Sequence, residues 1–388
     1  MIFNTGNPLS PKVSITLNNV EVDYKAIQHL QLDLNQNMHD VLTIHIAGIP
    51  PKAITDYIDA AVRMTVSSGQ GRTQEFCGYV LYVEPESDGR GALINNSPFQ
   101  TARVVCFGAS LDMMGKKNRV WENVGIKEVA SDLAADYHFS LDVIDDGFKL
   151  PRLVQSGESD WSFLLRICSK YGYNVTVHGT HMHVWDPFKA IGRRPSYEKL
   201  TPLISNLKAS PGGILKFDGL FGYLTPEGWS TNYELSVLDA SGATTKVTSD
   251  SNQPEESWSG LGQPSKFYST INEAVQTVEE AEKVIGAKER AAFPFTADVQ
   301  ISAGAGIVPG GVVEVLGYKA NFEGLWYVKG VKHVIGGSSY TTDLCLGKDF
   351  NTSNDYVQPP VELAQKAPDP RLVAGKWRTT LERINAYV

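Results

Sequence analysis

Along residues 13–114 apolar and polar side chains alternate with period two, the pattern of strands buried on one face. Val13–Leu17, Leu30–Leu34, Val41–Ile46, Ala61–Ser67, Phe76–Glu84 and Ala102–Phe107 read as strands, separated by Asn, Gly, Asp and Pro clusters. Short antiparallel strands at this spacing predict a barrel or sandwich. Between two of them, Asn35–Asp40 (NQNMHD) is a polar turn. The period changes after Lys116. Ile126, Val129, Ala130, Leu133, Ala134 and Tyr137 recur every 3.6 residues and predict a helix over 126–137.

The next segment, Gln155–Trp185, reads QSGESDWSFLLRICSKYGYNVTVHGTHMHVW. Trp161, Leu164, Leu165 and Cys168 share one helical face, which Phe163, Ile167 and Tyr171 widen. Glu158 and Asp160 sit where the first turn is expected, favoured by the positive end of the helix dipole. Gly172 stands where a left-handed cap needs no Cβ. Asn174–Val177 and His181–Trp185 then predict a hairpin about a Gly-Thr turn. Strand text returns at Ile214–Phe217, and Tyr233–Leu238 with Thr244–Thr248 predicts a second hairpin. Thr270 and Glu273 have capping-box spacing, so a long helix is expected from Thr270 with Ile271, Ala274, Val275, Val278, Ala281 and Ile285 as its buried stripe. Phe295–Ile301, Val312–Leu316, Trp326–His333 and Tyr340–Leu346 predict further strands. In the tail, Pro359, Pro360, Pro368 and Pro370 stiffen a linker, and Leu372–Val388 reads as a short helix. Its stripe of Trp377, Leu381 and Ile384 either docks on a neighbouring protein or folds back on the chain's own strands.

At 388 residues the chain predicts several domains. Its composition, 42% hydrophobic and 20% charged, argues against wholesale disorder. The net charge of −8 and the lack of Lys/Arg clusters argue against sequence-specific nucleic-acid binding. Cys77, Cys106, Cys168 and Cys345 lie far apart in apolar surroundings and are expected to be buried thiols. No signal peptide and no transmembrane segment are predicted, so synthesis and assembly in the cytoplasm are expected.

The sequence predicts no catalytic residue, no cofactor and no metal site. His181 and His183 share a strand face at a spacing that can chelate zinc, but no further ligand completes a set, and with His178 they read as an exposed hairpin. Gly304–Gly311 (GAGIVPGG) lacks the Lys-Ser/Thr ending of a phosphate loop and reads as a Pro-Gly turn. The pairs Asp145-Asp146, Glu255-Glu256 and Glu279-Glu280 are adjacent on single elements, where carboxylates rarely face one another across a substrate, and read as turn, loop and solvated helix face.

The motif Q-x-x-E-S-D-W-x-F-L, followed by Y-G-Y and a hairpin, resembles the hub proteins of phage tails and related injection machines, the late-control-D and valine–glycine-repeat hub group. A second stretch resembles the same group in the same order: Ile307–Gly317 (IVPGGVVEVLG), then Gly324–His333 (GLWYVKGVKH), then Tyr340–Leu344 (YTTDL). The resemblance spans roughly Val13 to Gly347. It implies an α+β, mainly β fold with two tail-tube-like antiparallel β-barrels, an inserted small helix-and-hairpin domain and a C-terminal helical tail. The implied domains are 1–115 plus 188–260 (first barrel), 116–187 (insertion), 261–350 (second barrel with the long helix) and 351–388 (linker and helix). Gln155, Glu158, Asp160, Trp161, Gly172, Pro309, Gly310 and Gly317 carry the family motifs in structural, non-catalytic roles. The implied function is a trimeric hub in the virion tail tip, assembled in the host cytoplasm, that adapts a sixfold tail tube to threefold tip proteins and forms a conduit for DNA or cargo. Its implied partners are two further copies, the tail tube or a distal tail ring, a separate spike or tip protein, and a tape-measure protein. The alternative is a cell-wall-binding or wall-degrading tail-tip protein, although neither a lysozyme-like nor a peptidase region is recognisable.

Overall fold

The computed structural model describes residues 11–47, 57–68, 72–86, 101–144, 147–187, 189, 199–202, 212–221, 231–238, 244–248, 267–289, 293, 295–318, 322–337 and 339–348. They fall into two compact units. The larger holds residues 1–221, 293–318 and 322–354. Its N-terminal strands are β1 (Lys12–Leu17), β2 (Val20–Glu21), β3 (Ile27–Asn35), β4 (Val41–Ala47), β5 (Ala61–Ser67), β6 (Thr73–Glu86) and β7 (Thr101–Gly108). A 3-10 helix, Ala109–Met114, leads into a module of β8 (Lys116–Gly125), α1 (Ile126–Asp136), β9 (Ser140–Ile144), β10 (Lys149–Ser159), α2 (Asp160–Tyr171), β11 (Asn174–His178) and β12 (His181–Trp185). The chain continues through β13 (Thr201–Pro202) and β14 (Gly213–Phe221). The smaller unit contributes β15 (Thr231–Leu238), β16 (Thr244–Thr248), β17 (Phe267–Ile271) and α3 (Val278–Glu289). The C-terminal strands of the larger unit are β18 (Phe295–Ser302), β19 (Val312–Val315), β20 (Gly324–Gly336) and β21 (Ser339–Lys348).

Thirteen strands form one sheet in the order β13-β14-β18-β21-β20-β3-β4-β7-β6-β5-β1-β2, with β19 paired to β20 off that path. The N- and C-terminal strand groups are therefore continuous, joined where β20 runs antiparallel to β3 from Gly330 opposite Asn35 to Gly336 opposite His29. Among the described residues the hydrogen-bonded order does not close on itself. The alternation read from sequence decides the faces. Leu30, Leu32 and Leu34 of β3 and Leu42, Ile44 and Ile46 of β4 point into the core, while His29, Gln31, Asp33 and Thr43 point away. The same apolar cluster takes in Val299, Ile301, Trp326, Val328, Val331, Leu344 and Leu346 from the other strand group, so one core serves both. His333 lies among them, 1% exposed, within 3.1 Å of both Thr342 Oγ1 and the Tyr340 hydroxyl. Burial pushes its pKa down to about 3, so the ring is neutral.

Residues 188–260 are divided in the structure. β14 pairs with β18 of the C-terminal group (Phe217 opposite Val299), whereas β15 pairs with β16 and β17 in the smaller unit. The module also holds an antiparallel pair that the sequence does not announce, β8 with β10, from Gly125 opposite Lys149 to Lys116 opposite Ser159. The cysteines divide too. Cys106 and Cys168 are buried as expected, but Cys77 is half-buried and Cys345 exposed, because both fall on the outward face of their strands.

The helix expected from Thr270 starts later. Phe267–Ile271 is strand, paired in parallel with β15, and α3 begins at Val278. The chain repeats the T-x-x-E pattern seven residues on, and the second copy makes the cap. Glu280 N donates to Thr277 Oγ1 at 3.1 Å, and Gln276 N donates to Glu280 Oε2 at 2.8 Å. Val275, Ala281, Val284 and Ile285 are buried, while Val278, assigned to the buried stripe, is exposed. Thr277→Ala is expected to destabilise this unit by about 1 kcal/mol. Thr270→Ala, on an exposed strand position, should stay within about 0.5 kcal/mol. Urea melts followed by circular dichroism of the full chain separate the two.

Candidate functional site

The module is organised around one buried carboxylate. Ser159 caps α2, its hydroxyl accepting from Ser162 N at 3.1 Å, and Asp160 is the first helical residue. Asp160 therefore faces inward from the helix start, and its side chain is fully buried. Tyr137 at the end of α1 donates to Asp160 Oδ2 at 2.5 Å and Gln155 Nε2 of β10 donates to Oδ1 at 2.8 Å. Lys117 Nζ of β8 lies 2.7 Å from Oδ2, and Arg119, three-quarters buried, lies 3.7 Å away. Burial alone would raise the Asp160 pKa. Hydrogen bonds from Lys117, Tyr137 and Gln155 together with the Arg119 charge outweigh it and hold the carboxyl below its ordinary value. One acidic side chain thus ties β8, α1, β10 and α2 together.

The family-motif residues occupy distinct structural positions around it. Gln155 and Glu158 lie on β10 rather than in a helical turn; Glu158 makes a fork with Arg166 at 2.6 and 3.2 Å, pinning α2 to β10. Trp161 is buried and stacks on His39 with ring centroids 4.8 Å apart. Gly172 ends α2 with φ 80°, a left-handed cap. Pro309 is buried. Gly310 has φ 85°, and a Cβ there would lie 2.8 Å from the Trp185 ring, so the turn from Gly304 to Gly311 must be bare at this point to let β12 approach. Gly317, φ 87°, donates its N–H to Glu323 Oε1 at 2.8 Å. Trp377, Leu381 and Ile384 lie outside the described residues.

Three parts of the chain meet beside this module. The β3–β4 turn, Asn35–Asp40, projects at β11. Asn37, in the left-handed region at φ 61°, donates its N–H to Val175 O at 2.8 Å and accepts the Val175 N–H on Oδ1 at 2.9 Å. Its Nδ2 donates to Asn174 Oδ1 at 2.8 Å. Asn174 Nδ2 in turn donates to Gln36 Oε1 and to the Tyr327 hydroxyl of β20, both at 3.1 Å. That hydroxyl also accepts from Trp185 Nε1 at 2.7 Å and donates to Gln36 Oε1 at 2.8 Å, which uses its one donor and both acceptor positions. Trp185 and Tyr327 are both 0% exposed, and Phe293 stacks on Tyr327 at 5.4 Å. At the far side of the turn the buried Asp40 carboxylate sits 2.9 and 3.0 Å from His178 Nδ1, and burial raises its pKa against the opposing effect of His178.

These contacts correct the expectation of an exposed histidine hairpin. His178 is 11% and His183 16% exposed at the side chain, with Asp40 and Asp142 as neighbours; His181 alone is exposed, 2.7 Å from Ser140 Oγ. Among the described residues no group of three or more His, Cys, Asp or Glu is placed to hold a metal ion. Sequence reading singled out Asn35–Asp40 as a turn but not its role, and it missed Lys117, Arg119, Tyr137, Asn174 and Tyr327. Their partners are up to 291 positions away, so no local pattern marks them.

The model of the family described as phage tail baseplate hub (GPD) matches residues 41–338. Among solved structures the chain is similar to the 43 kDa tail protein of prophage MuSo2 from Shewanella oneidensis, with 13% identity, TM-score 0.59, and 87% of this chain and 98% of that one covered. It is also similar to a tail protein from Neisseria meningitidis MC58, at 12% identity, TM-score 0.63, with 89% and 99% covered. A third is the E. coli c3393 protein, a component of the type VI secretion system, at 11% identity, TM-score 0.52, with 90% and 79% covered. At these identities the likeness is one of fold. No curated protein matches. Among the described residues no helix is long and apolar enough to cross a membrane.

Two substitutions test the site. Asp160→Asn removes the charge that Lys117 and Arg119 face and is expected to cost about 2–3 kcal/mol, less than for a fully buried pair because both cations reach solvent. Because the Asp160 pKa is depressed, its contribution is present above the ordinary carboxylate range and is lost as pH falls through the lowered value. The gap between wild type and variant in urea melts should thus be full at neutral pH and shrink below about pH 4. Tyr327→Phe strips a partner from Trp185, Asn174 and Gln36 at once and should cost about 1–3 kcal/mol in the same assay.

Proposed function

Because this chain belongs to the phage tail baseplate hub (GPD) family, we propose that it is the non-enzymatic hub of a phage or phage-like tail, a homotrimeric ring that joins a sixfold tail tube to threefold tip proteins. The observation that supports this most directly is the single sheet in which two antiparallel strand groups are joined edge to edge by β3 and β20. Three such chains present six strand groups around an axis, the count a sixfold tube requires on one face, while the chain repeat itself stays threefold for the tip. Contacts in such a ring are heterologous and close on themselves, which covers sheet edges that would otherwise invite aggregation.

In this reading each strand group is a tube-like barrel, and the module at 116–187 is an inserted, non-catalytic wedge. The Asp160 cluster holds that wedge rigid, and the β3–β4 turn with Tyr327 fixes it where the two groups meet. The outward face of the sheet forms the wall of the conduit for DNA or cargo. Its charges alternate: Lys332 lies between Asp343 and Asp33, and Arg103 bonds Glu84. A wall of mixed sign gives a polyanion neither a strong attraction nor a uniform barrier. The protein acts in the virion tail tip after assembly in the host cytoplasm, with the tail tube or a distal tail ring, a separate spike or tip protein and the tape-measure protein as partners.

Mass photometry of the purified full chain at micromolar concentration is expected to show a three-chain species. A monomer both alone and when bound to purified tail tubes overturns the ring.

A further inference from the structure

We propose that His29 and His45 form a two-imidazole chelating site for a divalent transition-metal ion of the zinc, nickel and copper class. The two histidines stand directly opposite each other on the outward faces of β3 and β4. Their rings meet edge to face with centroids 5.6 Å apart. A metal–imidazole bond is about 2.0–2.1 Å, so two rings bound to one ion place their centroids roughly 5 Å apart. Small side-chain rotations close the difference, and no backbone movement is needed. The backbone is in any case fixed, because β3 is paired to β20 on its other side and β4 to β7.

The neighbours of the pair are known on both flanks. Next to His29 in register is Gly336, which has no side chain; among the described residues, chain neighbours aside, His29 Nδ1 and the Gln28 carbonyl come within 4 Å of where a Cβ would stand. The His29 ring is thereby uncrowded on its β20 side. Next to His45 is Arg103, whose guanidinium is bonded to Glu84. Two protein donors make a weak, exchangeable site in which water completes the coordination. Such an ion ties β3 to β4 at the end opposite the Asn35–Asp40 turn and adds stability by mass action. The site does not depend on the hub reading.

The test is isothermal titration of nickel chloride into the untagged full chain at pH 7.5, alongside thermal melts with and without the metal. Wild type is expected to take up one ion per chain saturably and to melt at a higher temperature in its presence. His45→Gln, on the outward face, should weaken binding at least about tenfold, ~1.4 kcal/mol, and abolish the metal-dependent rise in melting temperature. His29→Gln repeats the test from the other strand if the first variant folds poorly. His181→Gln with His183→Gln should leave both readouts unchanged. Absence of saturable heat in wild type, or binding lost only in the His181/His183 variant, overturns the proposal.

Discussion

The antiparallel ladder between β3 and β20 is the constraint on which the rest of the larger unit depends. It brings residues 29–35 against residues 330–336 and makes one sheet of two strand groups. Side chains on a strand alternate faces, so this register is all or nothing. With Leu30, Leu32 and Leu34 opposite Ile335, His333 and Val331, the apolar face of both strands enters one core. A slip by one position would turn Asp33, Gln31 and Lys332 inward and expose the leucines. The ladder also aims the β3–β4 turn, which leaves β3 at Asn35 and reaches β11 within two residues. Gln36, Asn37 and Tyr327 can share hydrogen bonds only because Gly330 stands opposite Asn35.

The two main buried polar centres of this unit, Asp160 and the Tyr327 hydroxyl, are each held by partners from more than one element. Asp160 receives donors from α1 and β10 and two cations from β8. The Tyr327 hydroxyl is used on all three of its positions by β12, β11 and the β3–β4 turn. Buried groups satisfied in this way add little net stability over apolar substitutes, yet leaving one unpaired is costly. Their geometry restricts the alternative arrangements open to the module. Gly310 belongs to the same logic, since Trp185 reaches Tyr327 only over a turn that lacks a Cβ.

Where local reading failed, a competing copy of the same signal or a distant partner explains the failure. The T-x-x-E spacing occurs at Thr270 and again at Thr277, and the first copy is taken into a strand by β15. Glu158 looked like a helix-start residue and is instead the end of β10, because Ser159 provides the cap. The β8–β10 pair was invisible because Lys116–Gly125 exposes Val120 beside Lys116, Asn118 and Glu122 while its Lys117 and Arg119 turn inward to Asp160. The histidine hairpin was placed correctly as backbone, but its surroundings come from Asp40 and Asp142 on other elements.

By itself the sequence determined the mainly β character, both helices of the module, the hairpin at 174–185 and the family, because each rests on spacing within a few turns or strands or on short motifs in order. Tertiary structure alone decided that the two strand groups share a sheet, which groups surround Asp160, and that a six-residue polar turn is the point where three parts of the chain are fastened. Those outcomes depend on side chains far apart along the polypeptide meeting with one geometry. Periodicity records which face of an element is apolar but carries no information about which other element will cover it.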